Sequence, residues 1–194
     1  MRIIAGEARG RRLTPVRGLQ VRPTGDRVRE ALFSLLQARF GLPGPDTAVV
    51  LDLYAGSGAL GLEALSRGAA LAHFVEADAA AAGTVQANLD LCGFGARGRV
   101  HRSRVNAFLA APRSANLGCD LVFLDPPYAQ EEDLAACLAA LSPPLLATHG
   151  VVVAEHDARS SPPDAAGSLR LVHRRAWGHT AMSFYRLEAA SKAC

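Results

Sequence analysis

Asp125-Pro126-Pro127-Tyr128, placed directly after the apolar run Leu121-Val122-Phe123-Leu124, is the stretch whose residue types most narrowly specify a chemistry. Proline cannot donate to a sheet ladder, and each proline biases its predecessor away from the helical region. The segment is therefore rigid and extended. It holds the Asp125 carboxylate, the Pro126 carbonyl and the Tyr128 ring in one fixed relation. Those parts suit an amine conjugated to an aromatic ring, a poor nucleophile because its lone pair is delocalised. Two acceptors on its two N–H bonds turn the lone pair outward, and a stacked ring holds the base in line. A fixed carboxylate then stabilises positive charge appearing on nitrogen. Asp125, Pro126, Pro127 and Tyr128 form the candidate catalytic set. The acceptor they imply is an exocyclic amino group of a nucleic-acid base, unpaired or flipped out of its stack. Taken alone, the tetrapeptide also fits a strand ending in a proline-rich turn with Asp125 as a helix cap.

A second stretch supplies the donor side. Asp52-Leu53-Tyr54-Ala55-Gly56-Ser57-Gly58-Ala59-Leu60-Gly61 contains G-x-G-x-x-G between a predicted strand and a predicted helix, and Glu76 closes the next strand 20 residues past Gly56. That context fits a dinucleotide as well as S-adenosylmethionine (AdoMet). Asp52 separates the two readings. Its carboxylate, four residues before Gly56, would oppose a pyrophosphate but suits the ammonium and sulfonium of AdoMet. The glycines let the backbone approach the cofactor closely. The expected contacts are Asp52, Tyr54, Ala55, Gly56, Ser57 and Gly58, with Glu76 and Ala77 towards the ribose. Asn106 and Ala107 would meet the adenine edge, where many AdoMet enzymes have an acid instead. S-adenosylhomocysteine is the implied product, and no metal is expected.

The elements that must position these residues alternate regularly. Strands are predicted at Val49–Leu53, Leu71–Val75, Arg99–Arg102, Leu121–Leu124 and Val151–Glu155. Helices are predicted between them, at about Ala59–Arg67, Ala79–Leu91, Asn106–Ala111 and Glu131–Leu141. Short, wholly apolar strands separated by helices argue an α/β, mostly parallel sheet covered on both faces. Leu169–Arg175 and Ala181–Leu187 have no helix between them and read as a terminal antiparallel hairpin. Ser160–Gly167 reads as a polar loop. Before the first of these strands, Arg2–Ala5 and Arg12–Thr14 flank a Gly6–Gly10 turn, a short β-hairpin arm. A helix with Thr24 or Asp26 as its N-cap then presents Val28, Ala31, Leu32, Leu35 and Leu36 on one face. Gly41–Pro45 is a breaker-rich link.

The 194 residues, 49% apolar and 20% charged, suit one soluble domain with a small appendage. No run approaches the roughly 18 apolar residues of a membrane span. The opening residues lack the long apolar stretch of a signal peptide, so the chain reads as cytoplasmic. Cys92, Cys119, Cys137 and Cys194 are widely spaced and read as reduced thiols. Net charge is only +3, but residues 1–30 hold eight arginines against Glu7, Asp26 and Glu30, a local +5. That density favours polyanion contact, because guanidinium pairs with phosphate bidentately. Arg9, Arg11, Arg12, Arg17, Arg22 and Arg27 are the candidate RNA-binding residues. A second cluster, Arg97, Arg99, Arg102 and Arg104 around His101, is equally well read as a solvated face.

The chain resembles the bacterial 16S rRNA guanine-N2-methyltransferase family that acts at the guanine conventionally numbered 966. The resemblance rests on Arg2-Ile3-Ile4-Ala5-Gly6, the segment from Arg22-Pro23-Thr24 to Glu30-Ala31-Leu32-Phe33, and the Asp52–Gly61 loop continuing through Leu62-Glu63-Ala64-Leu65-Ser66-Arg67-Gly68-Ala69, together with Asp125–Tyr128. It implies a class I AdoMet-dependent methyltransferase (Rossmann-like) fold with a seven-stranded sheet. It also implies an RNA-binding N-terminal extension over residues 1–40, a methyltransferase domain over 41–194, and Thr24 near the cofactor. The substrate implied is 16S rRNA within the small ribosomal subunit or its assembly intermediate, met by a monomer. Three other readings stand beside it: a DNA or RNA adenine-N6-methyltransferase, a methyltransferase for a protein or small amine, and a non-catalytic RNA-binding factor that keeps the fold. The Asp125–Tyr128 motif alone does not choose between guanine and adenine.

Overall fold

The computed structural model describes residues 1–16, 25–44, 46–112, 114–126 and 131–188, with the side chains of 131–133 outside the description. Thr24, Arg17, Arg22, Pro127, Tyr128 and Cys194 thus lie outside the described residues. The elements in chain order are α1 (Asp26–Phe40), β1 (Val49–Leu53), α2 (Ala59–Ser66), β2 (Leu71–Glu76), α3 (Ala79–Cys92), β3 (Gly98–Arg102) and α4 (Val105–Leu109), followed by β4 (Cys119–Leu124), α5 (Glu131–Ala140), β5 (Leu146–Asp157), β6 (Ala165–Ala166), β7 (Leu169–Trp177) and β8 (Thr180–Leu187). Eight strands form one sheet in the order β3-β2-β1-β4-β5-β8-β7-β6. β1 to β5 are parallel, and β8, β7 and β6 add antiparallel strands beyond β5. The five parallel strands and the terminal hairpin match expectation. The strand count does not. Within the expected Ser160–Gly167 loop, Ala165 and Ala166 pair with Arg170 and Leu169, making an eighth strand too short for sequence periodicity to register. β5 also begins at Leu146, upstream of the expected Val151.

Burial follows the apolar pattern. One core lies on the face covered by α1, α2 and α3 and includes Leu32, Phe33, Leu62, Phe74, Phe123 and Phe184. The other lies under α4 and α5 and includes Leu51, Leu53, Val122, Leu138 and Tyr185. α2 is buried from Leu60 to Ser66, because the sheet lies against one side and the first residues of the chain against the other.

That second contact reshapes the N-terminal arm. The expected hairpin reduces to a single antiparallel bridge, Arg2 to Arg12, with the amides of Ile3 and Gly10 bonded across the turn at 2.9 Å. The amides of Ile4 and Ala5 donate instead to the buried Glu63 carboxylate, at 2.7 and 3.0 Å. Glu63 also accepts from Arg67 Nε at 2.8 Å and faces Arg29 Nε at 3.8 Å. Ser66 Oγ donates to the Ala5 carbonyl at 2.6 Å and accepts from the Ala8 amide at 3.0 Å. Gly6 is required here, since it sits at φ 84° and a Cβ would fall 1.7 Å from the Ser66 carbonyl oxygen. α1 departs from expectation in two ways. Its N-cap is Gly25, with Asp26 the first helical residue, and its buried face includes Arg29 and Phe33. Arg29 therefore leaves the N-terminal arginine cluster expected to meet a polyanion. It is fully buried and donates to Asp26 and to the Arg2 carbonyl.

Candidate active site

Strand order reverses between β1 and β4, and in open α/β sheets ligands bind outside the carboxyl ends of the strands at such a point. The register Leu53–Leu124 brings the Asp52 loop and Asp125-Pro126 to the same edge. β5 continues the row, pairing Ala154 with Leu124, so Glu155 lies level with Asp125. Three acids thus occupy the carboxyl ends of three neighbouring strands.

Asp52 is 2% exposed, and its Oδ2 accepts from the Gly61 amide at 2.9 Å. Burial pushes its carboxyl up to about 7; the Gly61 hydrogen bond opposes that rise and the Glu76 charge adds to it. Asp125, partly buried, is raised well above the ordinary carboxylate range, first by burial and then by the charges of Glu155 and Asp52. Among the described residues no ion pair reaches Asp52 or Asp125. Two buried carboxyls whose charge is opposed by burial, with no ion pair among the described residues, are what a cationic ligand would complete. This fits the ammonium and sulfonium of AdoMet and opposes a pyrophosphate.

The loop glycines divide their work. Gly56 (φ 55°) and Gly58 (φ 79°) adopt the left-handed conformation. A Cβ on Gly56 would meet only the Tyr54 carbonyl oxygen, at 4.0 Å, leaving that side of the loop open to a ligand. Gly61 serves packing instead, since a Cβ there would sit 2.3 Å from the Phe74 ring. Tyr54 is itself left-handed at φ 62°, an uncommon state for a side-chain-bearing residue. Ala55 is anchored by its amide on the Val75 carbonyl.

Glu76 is more committed than the sequence suggests. Its Oε2 accepts from the Gly56 amide at 2.9 Å and its Oε1 from the Asp78 amide at 2.8 Å. Each oxygen retains a second lone pair for a hydroxyl. Ala77 follows it directly. Asn106 and Ala107 lie exposed on α4. The Cys137 thiol of α5 donates to Asn106 Oδ1 at 3.4 Å and lies 3.5 Å from the Tyr54 hydroxyl, so one buried sulfur links two of the expected cofactor contacts.

The arm arginines separate. Arg9 and Arg27 converge, with Arg2, on a cleft of about 350 Å³ also lined by Ile4, Asp26 and Glu30. Arg11 reaches the Leu91 carbonyl of α3, while Arg12 is exposed beside its bridge to Arg2. Of the mid-chain cluster, Arg97 pairs with Glu7 of the arm and packs over Phe94 at 4.8 Å.

Asn88 carries no motif but joins these regions. It is fully buried on the face of α3 shared by Ala81, Val85 and Cys92. Its Oδ1 accepts from the Thr14 amide at 2.8 Å, and its Nδ2 donates to the Thr14 and Ser57 carbonyls at 3.1 and 3.0 Å. A polar residue on the apolar stripe of a helix was the available signal. Glu155 gave a similar one as an acid at the end of an apolar strand.

A family described as "Conserved hypothetical protein 95" matches residues 1–186. Among curated proteins, Bacillus subtilis "Putative rRNA methyltransferase YlbH" is 37% identical over 187 residues, 96% of this chain and 98% of that protein. Escherichia coli "Ribosomal RNA small subunit methyltransferase D" is 36% identical over 191 residues, 97% of this chain and 91% of that protein. The solved "Putative methyltransferase yhhF" of Escherichia coli superposes with a TM-score of 0.82 at 37% identity, covering 98% of this chain and 99% of that one. The fold is the Rossmann-like class I methyltransferase fold. Matched along almost its whole length, the chain belongs to the Conserved hypothetical protein 95 family.

Proposed function

We propose that the chain transfers the methyl group of AdoMet to the exocyclic N2 amine of a guanine in 16S rRNA of the small ribosomal subunit. The observation that carries the chemistry is the gathering of Asp52, Asp125 and Glu155 at the switch point, with no cationic partner on Asp52 or Asp125 among the described residues. The rRNA substrate is supported by the names of two relatives matched over nearly their full length. The arginine-rich arm supports it independently.

AdoMet supplies an electrophilic methyl group on a positively charged sulfur. Asp52 would hold its ammonium end, Glu76 and Ala77 the ribose, and Asn106 and Ala107 the adenine. Tyr54, Ala55, Gly56, Ser57 and Gly58 would form the wall. Asp125 and the Pro126 carbonyl would accept the two N–H bonds of the amine and orient its lone pair. The Asp125 carboxylate would stabilise charge on nitrogen and offer a site for the departing proton. Pro127 and Tyr128 complete this reading by rigidity and base stacking, and Thr24 by contact with the cofactor. Arg9, Arg11, Arg12, Arg17, Arg22 and Arg27 would steer and hold rRNA from an extension spanning residues 1–40. Among the described residues no helix is long and apolar enough to cross a membrane.

The test is incubation with radiolabelled AdoMet and unmodified small subunits, naked 16S rRNA or DNA, followed by nucleoside analysis. N2-methylguanosine from the rRNA is expected. N6-methyladenine as the product would replace this reading with the adenine one. In the same assay, replacing Arg9, Arg11 and Arg12 with glutamine is expected to raise the KM for RNA and to flatten its salt dependence.

A further inference from the structure

We infer that the β7–β8 hairpin and the carboxyl end of α1 form a second RNA-contacting surface, a stripe of arginines interleaved with aromatic rings. This rests on the proposed rRNA substrate and goes beyond it, since it assigns substrate contact to the β7–β8 hairpin and the far end of α1, none of whose arginines is among the six proposed for the N-terminal extension.

Side chains on one face of β7 and β8 line up by register. His173 is opposite Phe184, Arg175 opposite Met182, and Trp177 opposite Thr180, with Arg186 further along β8 on the same face. Met182 and Phe184 belong to the core beneath α1, which places this stripe on the α1 side of the sheet. α1 ends there, with Phe40 stacked on Phe184 at 5.8 Å. The Arg39 and Arg186 guanidiniums lie 6.0 and 5.7 Å from the Phe40 ring, and Arg175 lies 6.0 Å from Trp177. His173 packs at 5.5 Å from Phe184. Arg39 and Arg175 are exposed, and Arg186 and Trp177 are partly so.

Charge pairing makes the stripe unusual. Arg170 and Arg174 of the same strand have carboxylate partners, Glu188 at 2.6 Å and Asp164 at 3.6 Å. Among the described residues Arg39, Arg175 and Arg186 have none. Their neighbours include rings, Arg186 also donating to the His149 carbonyl at 3.0 Å, and together they offer a polyanion both phosphate partners and stacking faces.

The stripe is also correctly placed. Arg175 pairs with Met182, Met182 with Glu155, and Glu155 lies level with Asp125 across β4 and β5. Arg175 is therefore three strand spacings from Asp125, about 14 Å. It stands on the side of the site away from β2 and β3, where Glu76 and Asn106 lie. From Thr180 to Arg186 the stripe extends about 20 Å along the strands, enough for several nucleotides flanking a base delivered to Asp125.

The test compares a triple variant, R39Q/R175Q/R186Q, with a double variant of the carboxylate-paired arginines, R170Q/R174Q. The probe is naked 16S rRNA transcript, bound across a potassium chloride series. Melting temperature, AdoMet affinity and methyl transfer are measured in parallel. The triple variant is expected to raise the RNA Kd roughly tenfold and to reduce the slope of log K against log salt by about 2. AdoMet affinity and melting temperature stay at wild-type values. The double variant stays within about twofold of wild type. Unchanged Kd and slope in the triple variant, or equal losses in both variants, would overturn the inference. Loss confined to intact small subunits, with naked rRNA bound normally, would overturn it in favour of a protein contact. Failure of the wild-type protein to methylate RNA would instead sink the proposed function, while the binding comparison would still decide the stripe.

Discussion

The side chain of Asn88 donates to the main-chain carbonyl of Ser57 at 3.0 Å, tying the middle of α3 to the glycine loop. The same carboxamide exchanges two hydrogen bonds with the backbone of Thr14, at 2.8 and 3.1 Å. One buried residue thus sets where the N-terminal arm ends relative to the loop expected to hold the methyl donor. Asn88→Ala removes three part-buried hydrogen bonds, to the Thr14 amide and to the Thr14 and Ser57 carbonyls, a loss of about 1–3 kcal/mol. Asn88→Asp keeps an acceptor for the Thr14 amide but sets a carboxylate against two carbonyls, and should be no milder. Urea unfolding measures the stability loss, and calorimetric titration should show weaker AdoMet binding in both variants. Wild-type unfolding midpoints would show that the three bonds contribute nothing net.

Asp52 makes cofactor binding pH-dependent. With its carboxyl raised to about 7 by burial, the residue must lose a proton to meet a cation. AdoMet affinity should therefore rise about tenfold per pH unit below 7 and level off above it. The stability effect has the opposite sense. The folded carboxyl binds its proton more tightly than the unfolded one, so stability falls as pH climbs from about 4 to about 7. Asp52→Asn should consequently raise the apo melting temperature at pH 8, by the equivalent of a few kcal/mol, while weakening AdoMet at least tenfold. The gain should vanish near pH 4, and a pH-independent gain would assign it to packing.

Asp125 is expected to act in transfer and not in cofactor binding. Asp125→Ala should lower kcat by about 10²–10³-fold, the range for losing one preorganised partner of developing charge, with AdoMet affinity little changed. Asp125→Asn keeps an acceptor oxygen but no charge, and should fall between. Single-turnover methyl transfer separates these outcomes, and wild-type rates in the alanine variant would remove Asp125 from the mechanism.

Glu63 is expected to be the main anchor of the arm. Glu63→Ala leaves Arg29 with Asp26 as its one carboxylate among the described residues, removes the partner of Arg67 and frees the Ile4 and Ala5 amides. Breaking a buried pair from one side costs about 3–5 kcal/mol. Hydrogen exchange of residues 1–13 should accelerate more than that of β1 or β4. Uniform acceleration would mean that the arm and sheet unfold together.

Much of the architecture was legible because its signals are local. Apolar runs at Val49–Leu53 and Leu121–Leu124 and the glycine loop between strand and helix needed no long-range information. Asp125-Pro126 ends its strand for a reason internal to proline. Arg29 shows where local reading stops. In sequence it is one of eight N-terminal arginines, and its burial against Asp26, Glu63 and the Arg2 carbonyl is what sets it apart from the exposed ones. Gly61 is similar, since its place in the fingerprint suggests a ligand while the Phe74 ring explains it. Cys137 reads as an inert thiol until α5 brings it against Tyr54 and Asn106.

The order of strands and helices, the rigid Asp125 segment and the charge of the first thirty residues follow from side-chain period, backbone restriction and composition. All three are properties of neighbours along the chain. Tertiary structure decided which charges are neutralised. It set Arg170 against Glu188 and Arg174 against Asp164, but left Arg39, Arg175 and Arg186 facing aromatic rings. It also gathered Asp52, Asp125 and Glu155 at one edge of the sheet, because parallel pairing brings the carboxyl ends of distant strands together, and there burial raises the cost of charge on Asp52 and Asp125.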